Sequence, residues 1–586
     1  MTVVGFDFGT TNSLVSVVDD ECVYDLLDED GLPVPSVVKY EGVRTTVGRE
    51  ARDALDAPGL GIHGNFVRSP KTYLGDETIT VGGVELSPID VTYDVIDHVK
   101  HRALISNRNA SYLAEISEAV ATIPVTMNGP RRRALREAYA RAGIRVVQFV
   151  HEPFAALYGH VRPLRGTDFV QRYDRKNILV VDWGGGTLDL TLCRFENGRV
   201  VQLQNSGTEE FGGDVFDDTL RNWVLANAAD ELSDIDSERR RQLRNRCEQL
   251  KINLSSDSDA TLYIRNFHSS GRPLSYRMSR DELELVTKPL IDRAMHRITA
   301  LLDAAHLSES QVALCLVTGG MSRMPAISAR LREYLGAHRV VVSRNSATLI
   351  AQGAAWIAYD KQQLELAKDI EIQLARGSFH RLVRAGTRIP FEGQELKDEL
   401  ELFCVDPRDG RAKFQLCTPV RPDGSAQKSD PRDEIGNLSL DVDSRARPFI
   451  ERLTLATTVD SDGVLHAKAT SGLLRRSEQI SVHDLEFGIS LGPVKQAESV
   501  VEENGPPAPR EELFDRGALV VRSNLADKKD NSLVPGELLY TYNRVLFSPG
   551  LAERATKRQD EERLYYEPCA VCKRRSNDPE CRCGSR

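Results

Sequence analysis

Two short turns carry the residue types that grip a polyphosphate. The first, Asp7-Phe8-Gly9-Thr10-Thr11-Asn12, follows the apolar run Val3-Val4-Gly5-Phe6. Glycine lets backbone N–H groups approach an anion closely, and threonine hydroxyls add donors. The aspartate at the strand end, Asp7, suits Mg²⁺, which keeps several waters and uses few carboxylates. The second turn repeats this logic. Asp182-Trp183-Gly184-Gly185-Gly186-Thr187 follows Ile178-Leu179-Val180-Val181, and a further carboxylate, Asp189, comes just after it. One such turn is as readily an ordinary β-hairpin. A matched pair, about 175 residues apart, makes phosphate gripping the better reading and suggests a duplicated architecture.

The elements that must position these turns are visible in the apolar pattern. Residues 1–18 and Asn177–Phe195 both read as strand, glycine turn, strand, which implies a duplicated architecture. Asn128–Ala142 reads as a helix opened by Pro130 and closed by Gly143. Asp214–Leu254 reads as helical, with Trp223, Leu232, Leu243 and Leu250 on its apolar positions. A third glycine-rich turn follows the strand Ala313–Val317 and opens the helix Ala326–Leu335. From Ile370 to Ile489 the character changes to short alternating runs with Asp-Gly turns, such as Asp462-Gly463, which is a hairpin pattern. Gln496–Glu512 is rich in Asp, Glu, Gly and Pro and reads as a linker.

At 586 residues the chain exceeds one hydrophobic core, so several domains are expected. Its net charge of −10 argues against a dedicated binder of nucleic acid or anionic membranes, which needs concentrated positive charge. No stretch approaches the ~18 consecutive apolar residues needed to cross a bilayer. The start lacks a basic segment followed by an apolar one, so a cytoplasmic protein is expected. Six cysteines are scattered and read as reduced, whereas Cys569, Cys572, Cys581 and Cys583 crowd the end.

Taken together, the motifs are similar to those of the actin, sugar-kinase and heat-shock ATPase superfamily, and most of all to the 70-kilodalton heat-shock chaperones (DnaK-type). Gly5–Asn12 and Val181–Asp189 resemble the two phosphate motifs, and His151-Glu152-Pro153-Phe154-Ala155-Ala156-Leu157-Tyr158-Gly159 resembles the connecting motif. Phe211-Gly212-Gly213-Asp214 resembles the segment near the ribose, and Thr318-Gly319-Gly320-Met321-Ser322-Arg323 the adenosine motif.

The resemblance implies roles for the matching positions. Lys71 would contact the γ-phosphate and attacking water, and Glu152 would organise water and metal. Asp182 and Thr187 complete the catalytic set. Gly9, Thr10, Thr11 and Asn12, with Gly184, Gly185 and Gly186, would hold phosphates. Gly212, Gly213 and Asp214 would lie by the ribose. Glu248, Lys251 and Ser255 recur at i, i+3 and i+7, so they can share a helix face toward ribose and adenine. Gly319, Gly320 and Arg323 would flank adenosine from the other side. Asp7, Asp182 and Asp189 would hold Mg²⁺ and, by family analogy, K⁺. The family usually has an Asp-Glu pair where this chain has Ala347-Thr348, which removes a water-mediated nucleotide contact.

The expected fold is therefore multidomain α/β plus β. A two-lobed actin-like ATPase domain spans 1–360 and an interdomain linker 361–371. A β-sandwich substrate-binding-like domain follows at 372–490, and an irregular Cys-rich tail at 491–586 replaces the helical lid. In the sandwich, Ile372 and Leu374 align with peptide-lining positions, or are plain core residues. The apolar arch expected near Val405–Phe414 is replaced by polar Asp406-Pro407-Arg408-Asp409-Gly410-Arg411, and the linker Leu364-Glu365-Leu366-Ala367-Lys368-Asp369 is short and mixed. The tail's C-x2-C and C-x-C pairs could complete a Zn²⁺ site, stay a reduced tail, or do redox chemistry.

Three functions are weighed. The first is a slow ATPase (ATP to ADP and phosphate) acting as a chaperone for polypeptide clients, with a J-domain co-chaperone and a nucleotide-exchange factor as family partners. The second is a nucleotide-gated scaffold for one dedicated protein partner. A small-molecule kinase is disfavoured by the appended β domain.

Overall fold

The computed structural model describes residues 3–56, 65–106, 115–196, 198–228, 235–268, 270–373, 378–404, 406–420, 430–491 and 545–547. Leu374, the four terminal cysteines and the 496–512 linker lie outside the described residues. The chain divides into two compact units. The first takes the described residues of Met1–Ala367 and Glu486–Val500, the second those of Lys368–Leu485 and Val501–Arg586. This division differs from the boundaries drawn from sequence at two places. Residues 361–367 of the expected linker belong to the first unit, and so does the strand Phe487–Ser490, which had been placed at the end of the β domain.

The first unit contains two large sheets of the same design. In one, Val4–Phe8 lies parallel to Glu118–Ile123, which lies parallel to Arg145–His151. On the other side Val4–Phe8 pairs antiparallel with Asn12–Asp19, and that strand with Cys22–Leu26. In the other sheet Asn177–Trp183 takes the central place, with Val312–Thr318 and Val340–Val342 parallel on one side. Leu188–Glu196 and Arg199–Thr208 run antiparallel on the other. The duplication expected from the two turns is thus present strand for strand. Each sheet has its own buried core, one around Phe6, Val95 and Tyr139, the other around Trp183, Phe216 and Leu290.

The helices begin and end where their residues dictate. Asn128 caps Gly129–Arg141 by accepting the Arg131 N–H at 3.1 Å, and Gly143 takes φ +68° just beyond the end. The stretch read as one helix over Asp214–Leu254 is two, Gly213–Ala228 and Ser237–Ser256, the second capped by Asp236. Leu349–Tyr359 is almost wholly buried and crosses Glu152–Val161 at backbone contact. A Cβ on Gly353 would lie 1.8 Å from the Ala155 carbonyl oxygen, and one on Gly5 would lie 2.2 Å from the Ala355 nitrogen. Only glycine permits that approach. No helix among the described residues is long and apolar enough to cross a membrane.

The second unit consists of two antiparallel sheets. One orders Phe379–Val383, Ile370–Gln373, Arg411–Pro419 and Arg432–Asp441; the other Ser477–Val482, Leu465–Ser471, Arg452–Val459, Leu396–Cys404 and Val545–Phe547. Burial alternates along Arg452–Val459 and Leu465–Ser471, as expected when one face of a strand is covered. The Asp462-Gly463 hairpin forms as read. The Asp460 carboxylate accepts the Asp462 and Val464 N–H groups, and Gly463 takes φ +70°. Gly436 of the first sheet faces Ile480 and Val482 of the second, with a Cβ there 3.1 Å from Ile480 Cδ1.

Candidate active site

The two phosphate-type turns abut. A Cβ on Gly185 would lie 2.2 Å from Thr11 Oγ1, and one on Gly186 would lie 2.7 Å from Thr10 Cγ2. The ribose-type segment closes on the same point. The Gly213 and Asp214 N–H groups donate to the Gly184 and Gly185 carbonyls at 3.1 and 2.8 Å, and a Cβ on Gly212 would sit 2.4 Å from the Gly186 carbonyl oxygen. At Gly212 backbone meets backbone, whereas Gly185 and Gly186 make room for the threonine side chains of the other turn. Gly319 belongs to the same cluster. It takes φ +83°, and a Cβ there would lie 2.6 Å from Asp182 Oδ1, whereas Gly320 faces open space.

Behind the turns sits a buried lysine. Lys71 is 3 % exposed and lies on the short 3₁₀ segment Pro70–Tyr73, entered through Ser69 in the left-handed region at φ 53°. Its Nζ donates to the Phe8 carbonyl and to Glu152 Oε1, both at 2.5 Å. Glu152 is the first residue of its helix, set there by the strand Arg145–His151. A buried ammonium needs such partners to stay charged.

Three aspartates surround this pair. Asp7 accepts a 2.7 Å bond from Thr122 Oγ1, and Asp189 Oδ1 accepts the Val125 N–H at 2.9 Å. Asp182 and Asp189 face each other across the hairpin pairing. Burial, and then the nearby Glu152 charge, push the Asp7 carboxyl up to about 6 and Asp189 to about 7, against the pull of Lys71. Asp182 is raised well above the ordinary carboxylate range for the same reasons. Asp189 Oδ2 is buried with no hydrogen-bond partner. Carboxylates crowded in this way want a cation, and the donor set is all oxygen, which fits Mg²⁺. No three His, Cys, Asp or Glu side chains among the described residues converge as a ready-made cage.

The residues expected around ribose and adenine separate into two groups. Glu248 and Lys251 are buried, and Lys251 Nζ reaches the Gly213 carbonyl at 3.1 Å and Asp217 at 2.7 Å. Ser255 instead donates to the Lys251 carbonyl of its own helix at 3.0 Å, and Arg323 is exposed. Sequence reasoning missed the basic partners opposite. Arg52 and Arg68 both hold Glu248, at 2.9 and 3.0 Å, and keep its carboxyl below the usual range although burial opposes this. Arg244 holds Asp214 at 3.0 Å. Arg68 stands three residues before Lys71, the one signal that could have found it. In the second unit Ile372 is fully buried in its strand, so in this conformation it packs in the core.

The chain is similar in sequence to known proteins. The family model described as Hsp70 protein matches residues 67–503. The chaperone protein DnaK of Ureaplasma parvum serovar 3 is 26 % identical over 567 residues, covering 92 % of this chain and 88 % of that protein. The DnaK of Mycoplasma mycoides subsp. mycoides SC is 30 % identical over 363 residues, 60 % of this chain and 58 % of its own. A heat shock cognate HSP70 protein of Trypanosoma brucei brucei is 25 % identical over 528 residues, covering 82 % and 75 %. With paired phosphate turns closing on a buried lysine, and a family match over most of its length, this chain belongs to the Hsp70 family of actin-like ATPases.

Proposed function

We propose that this protein hydrolyses ATP in the cleft of its first unit and uses the nucleotide state to govern how its second unit grips polypeptide. The observation that carries the reading is the abutment of Thr10–Thr11 on Gly185–Gly186, together with Lys71, which bonds both the Phe8 carbonyl at the start of the first turn and Glu152. The turns supply backbone and hydroxyl donors to the terminal phosphates. Lys71 places positive charge where charge develops on the transferred phosphoryl group, and Glu152 orients water for in-line attack. Mg²⁺, when bound, neutralises phosphate charge, with Asp7, Asp182 and Asp189 as its holders. Positioning and charge neutralisation, rather than a strong base, lower such a barrier.

The two sheets of the second unit are read as a β-sandwich that takes an extended peptide by backbone hydrogen bonds and an apolar pocket. One observation favours the narrower reading of a dedicated partner. At the place of the expected apolar arch, Asp406 is bound by Arg408, and Gly410 closes the turn onto the Pro407 carbonyl at 2.8 Å. A surface so polar suits a specific partner better than varied apolar peptides.

Single-turnover hydrolysis tests the first claim. Lys71→Ala should leave nucleotide affinity within a few-fold and slow phosphate release by about a hundredfold or more, the usual loss for an electrostatic catalytic group. An unchanged rate removes Lys71 from the mechanism. Stimulation of turnover by many unrelated unfolded peptides would favour the general chaperone. Stimulation by none of them, with capture of one folded partner, would favour the scaffold.

A further inference from the structure

The segment that carries Lys71 holds itself weakly. Pro70–Tyr73 lacks a backbone N–H at its first residue. The chain enters it through Ser69 at φ 53° and leaves through Gly75 at φ +100°. Within it the Thr72 N–H and hydroxyl both go to the Ser69 carbonyl, at 3.0 and 2.9 Å. The last carbonyls of so short a helical turn need donors from elsewhere. One side chain supplies them. Arg131 Nη2 donates to the Lys71 and Thr72 carbonyls at 3.3 and 3.1 Å. Gly75 makes room for its stem, since a Cβ there would lie 3.1 Å from Arg131 Cγ.

Arg131 is itself held at both ends. Its N–H is the one that Asn128 caps, which fixes where the side chain starts. At the far end Nη1 donates to Glu209 at 3.0 Å. Glu209 stands two residues before Phe211, whose carbonyl accepts the Trp183 ring N–H at 2.6 Å, and Gly212 and Gly213 then close on the second phosphate-type turn. The Arg131 side chain is 19 % exposed and that of Glu209 59 %, so the carbonyl bonds fix the guanidinium more than the ion pair does. The first turn of the helix Gly129–Arg141 contains no acidic residue. A cation at that end opposes the helix dipole, so local preference does not account for the arginine. Its contacts do.

We propose that Arg131 is a positioning residue for Lys71, its guanidinium tying the backbone of the Lys71 segment to the loop that leads into Gly212 and Gly213. This rests on the catalytic reading of Lys71 given above. The ammonium end of Lys71 is anchored on the Phe8 carbonyl and Glu152, and the backbone end on Arg131. Without the second anchor, the segment can shift about its two left-handed ends while Nζ keeps its partners. Small placement errors of this kind cost rate rather than binding. The planar fork is needed, because one guanidinium spans two carbonyls and a carboxylate where a single ammonium does not.

The test uses the full chain, comparing Arg131→Gln, Arg131→Lys and Glu209→Gln with wild type. Nucleotide affinity, single-turnover hydrolysis and amide exchange over residues 71–76 are measured for each. Arg131→Gln should slow hydrolysis by about tenfold, leave affinity within about twofold and speed exchange over 71–76. Arg131→Lys keeps the charge but loses the fork, and should stay within about threefold of Arg131→Gln. Glu209→Gln should cost about twofold or less, because that pair is exposed. Full recovery in Arg131→Lys would mean that charge alone acts, and overturns the positioning role. So does an unchanged rate in Arg131→Gln, or a loss of affinity as large as the loss of rate. Should Arg131→Gln fail to fold, Arg131→Lys is read alone, where a slower rate at wild-type affinity supports the proposal and a wild-type rate overturns it. If wild type does not hydrolyse ATP, the catalytic reading of Lys71 fails separately, and exchange alone decides. Faster exchange over 71–76 then supports the tie between the two segments, and unchanged exchange overturns it.

Discussion

The phosphate-type site of the first unit and the sheets of the second bury charge in opposite ways. In the first, Asp7, Asp182 and Asp189 are raised by burial and by mutual repulsion, and one lysine serves all of them. In the second, three buried acids among the described residues have partners of their own. Glu371 meets Arg432 at 2.6 Å, Asp369 meets Arg381 at 2.7 Å, and Glu451 accepts the Asp443 N–H and the Ser471 hydroxyl. Balanced burial fixes a structure; unbalanced burial is kept where a cation or ligand completes it. Charge that looks costly in isolation thus marks the site, and charge that looks satisfied marks the scaffold.

The sharpest way to separate the units is to disturb the first through backbone packing alone. Gly353→Ala puts a methyl 1.8 Å from the Ala155 carbonyl oxygen, where neither partner is a side chain that can turn away. The helix Leu349–Tyr359 must then lift off Glu152–Val161. The expected loss exceeds about 4 kcal/mol, the range reserved for a core that cannot relax. Scanning calorimetry should show the first unit's transition collapse while that of the second stays put. A shift under about 1 kcal/mol would mean that the two helices slide freely and that this backbone contact does not hold the first unit together.

What the sequence made legible follows from distance along the chain. The glycine turns, the duplicated hairpins and the Asp462-Gly463 turn each depend on residues a few positions apart, and all are present. Of the residues spaced i, i+3 and i+7, Glu248 and Lys251 are buried, while Ser255 turns back to its own helix. The arginines over Glu248 could not be read this way, because Arg68 and Arg52 lie 180 and 196 residues from it. Nor could the strand at Phe487, which bonds Gln202 across 285 residues. The linker was half legible. Leu364-Glu365-Leu366 alternates as a strand does, and Leu364 and Leu366 are buried accordingly, but the strand they join comes from beyond the second unit.

Breaking one balanced pair tests the other side of the comparison. Arg432 lies against Glu371 and over the Phe379 ring at 4.5 Å, with Glu371 itself buried. Arg432→Ala leaves that carboxylate without its cation and should destabilise the second unit by about 4 kcal/mol, as removal of one member of a buried pair does. Glu371→Leu with Arg432→Leu should recover most of the loss, since neither charge is then buried. If the double variant is no better than the single one, the pair was not what set the balance, and packing on Phe379 was.

The smallest effect is expected from a single histidine of the second unit. His380, partly buried on the strand Phe379–Val383, is pushed down to about 4 by burial and then by the Arg381 charge. In the unfolded chain an imidazole titrates near 6.5. Between these values the unfolded state binds the proton and the folded state does not, so stability falls as pH falls. The contribution is complete above pH 6.5 and is lost on acidification toward pH 4. Its ceiling is about 3 kcal/mol, and partial exposure of the ring lowers it further. Because many carboxylates titrate in the same window, the difference between wild type and His380→Gln reports this residue, rather than either curve alone. Urea unfolding of the second unit at pH 7.5 and pH 4.5 should show the gap between the two proteins closing, or reversing, on acidification. A gap independent of pH would mean that burial does not disfavour the charged ring of His380 in the folded state.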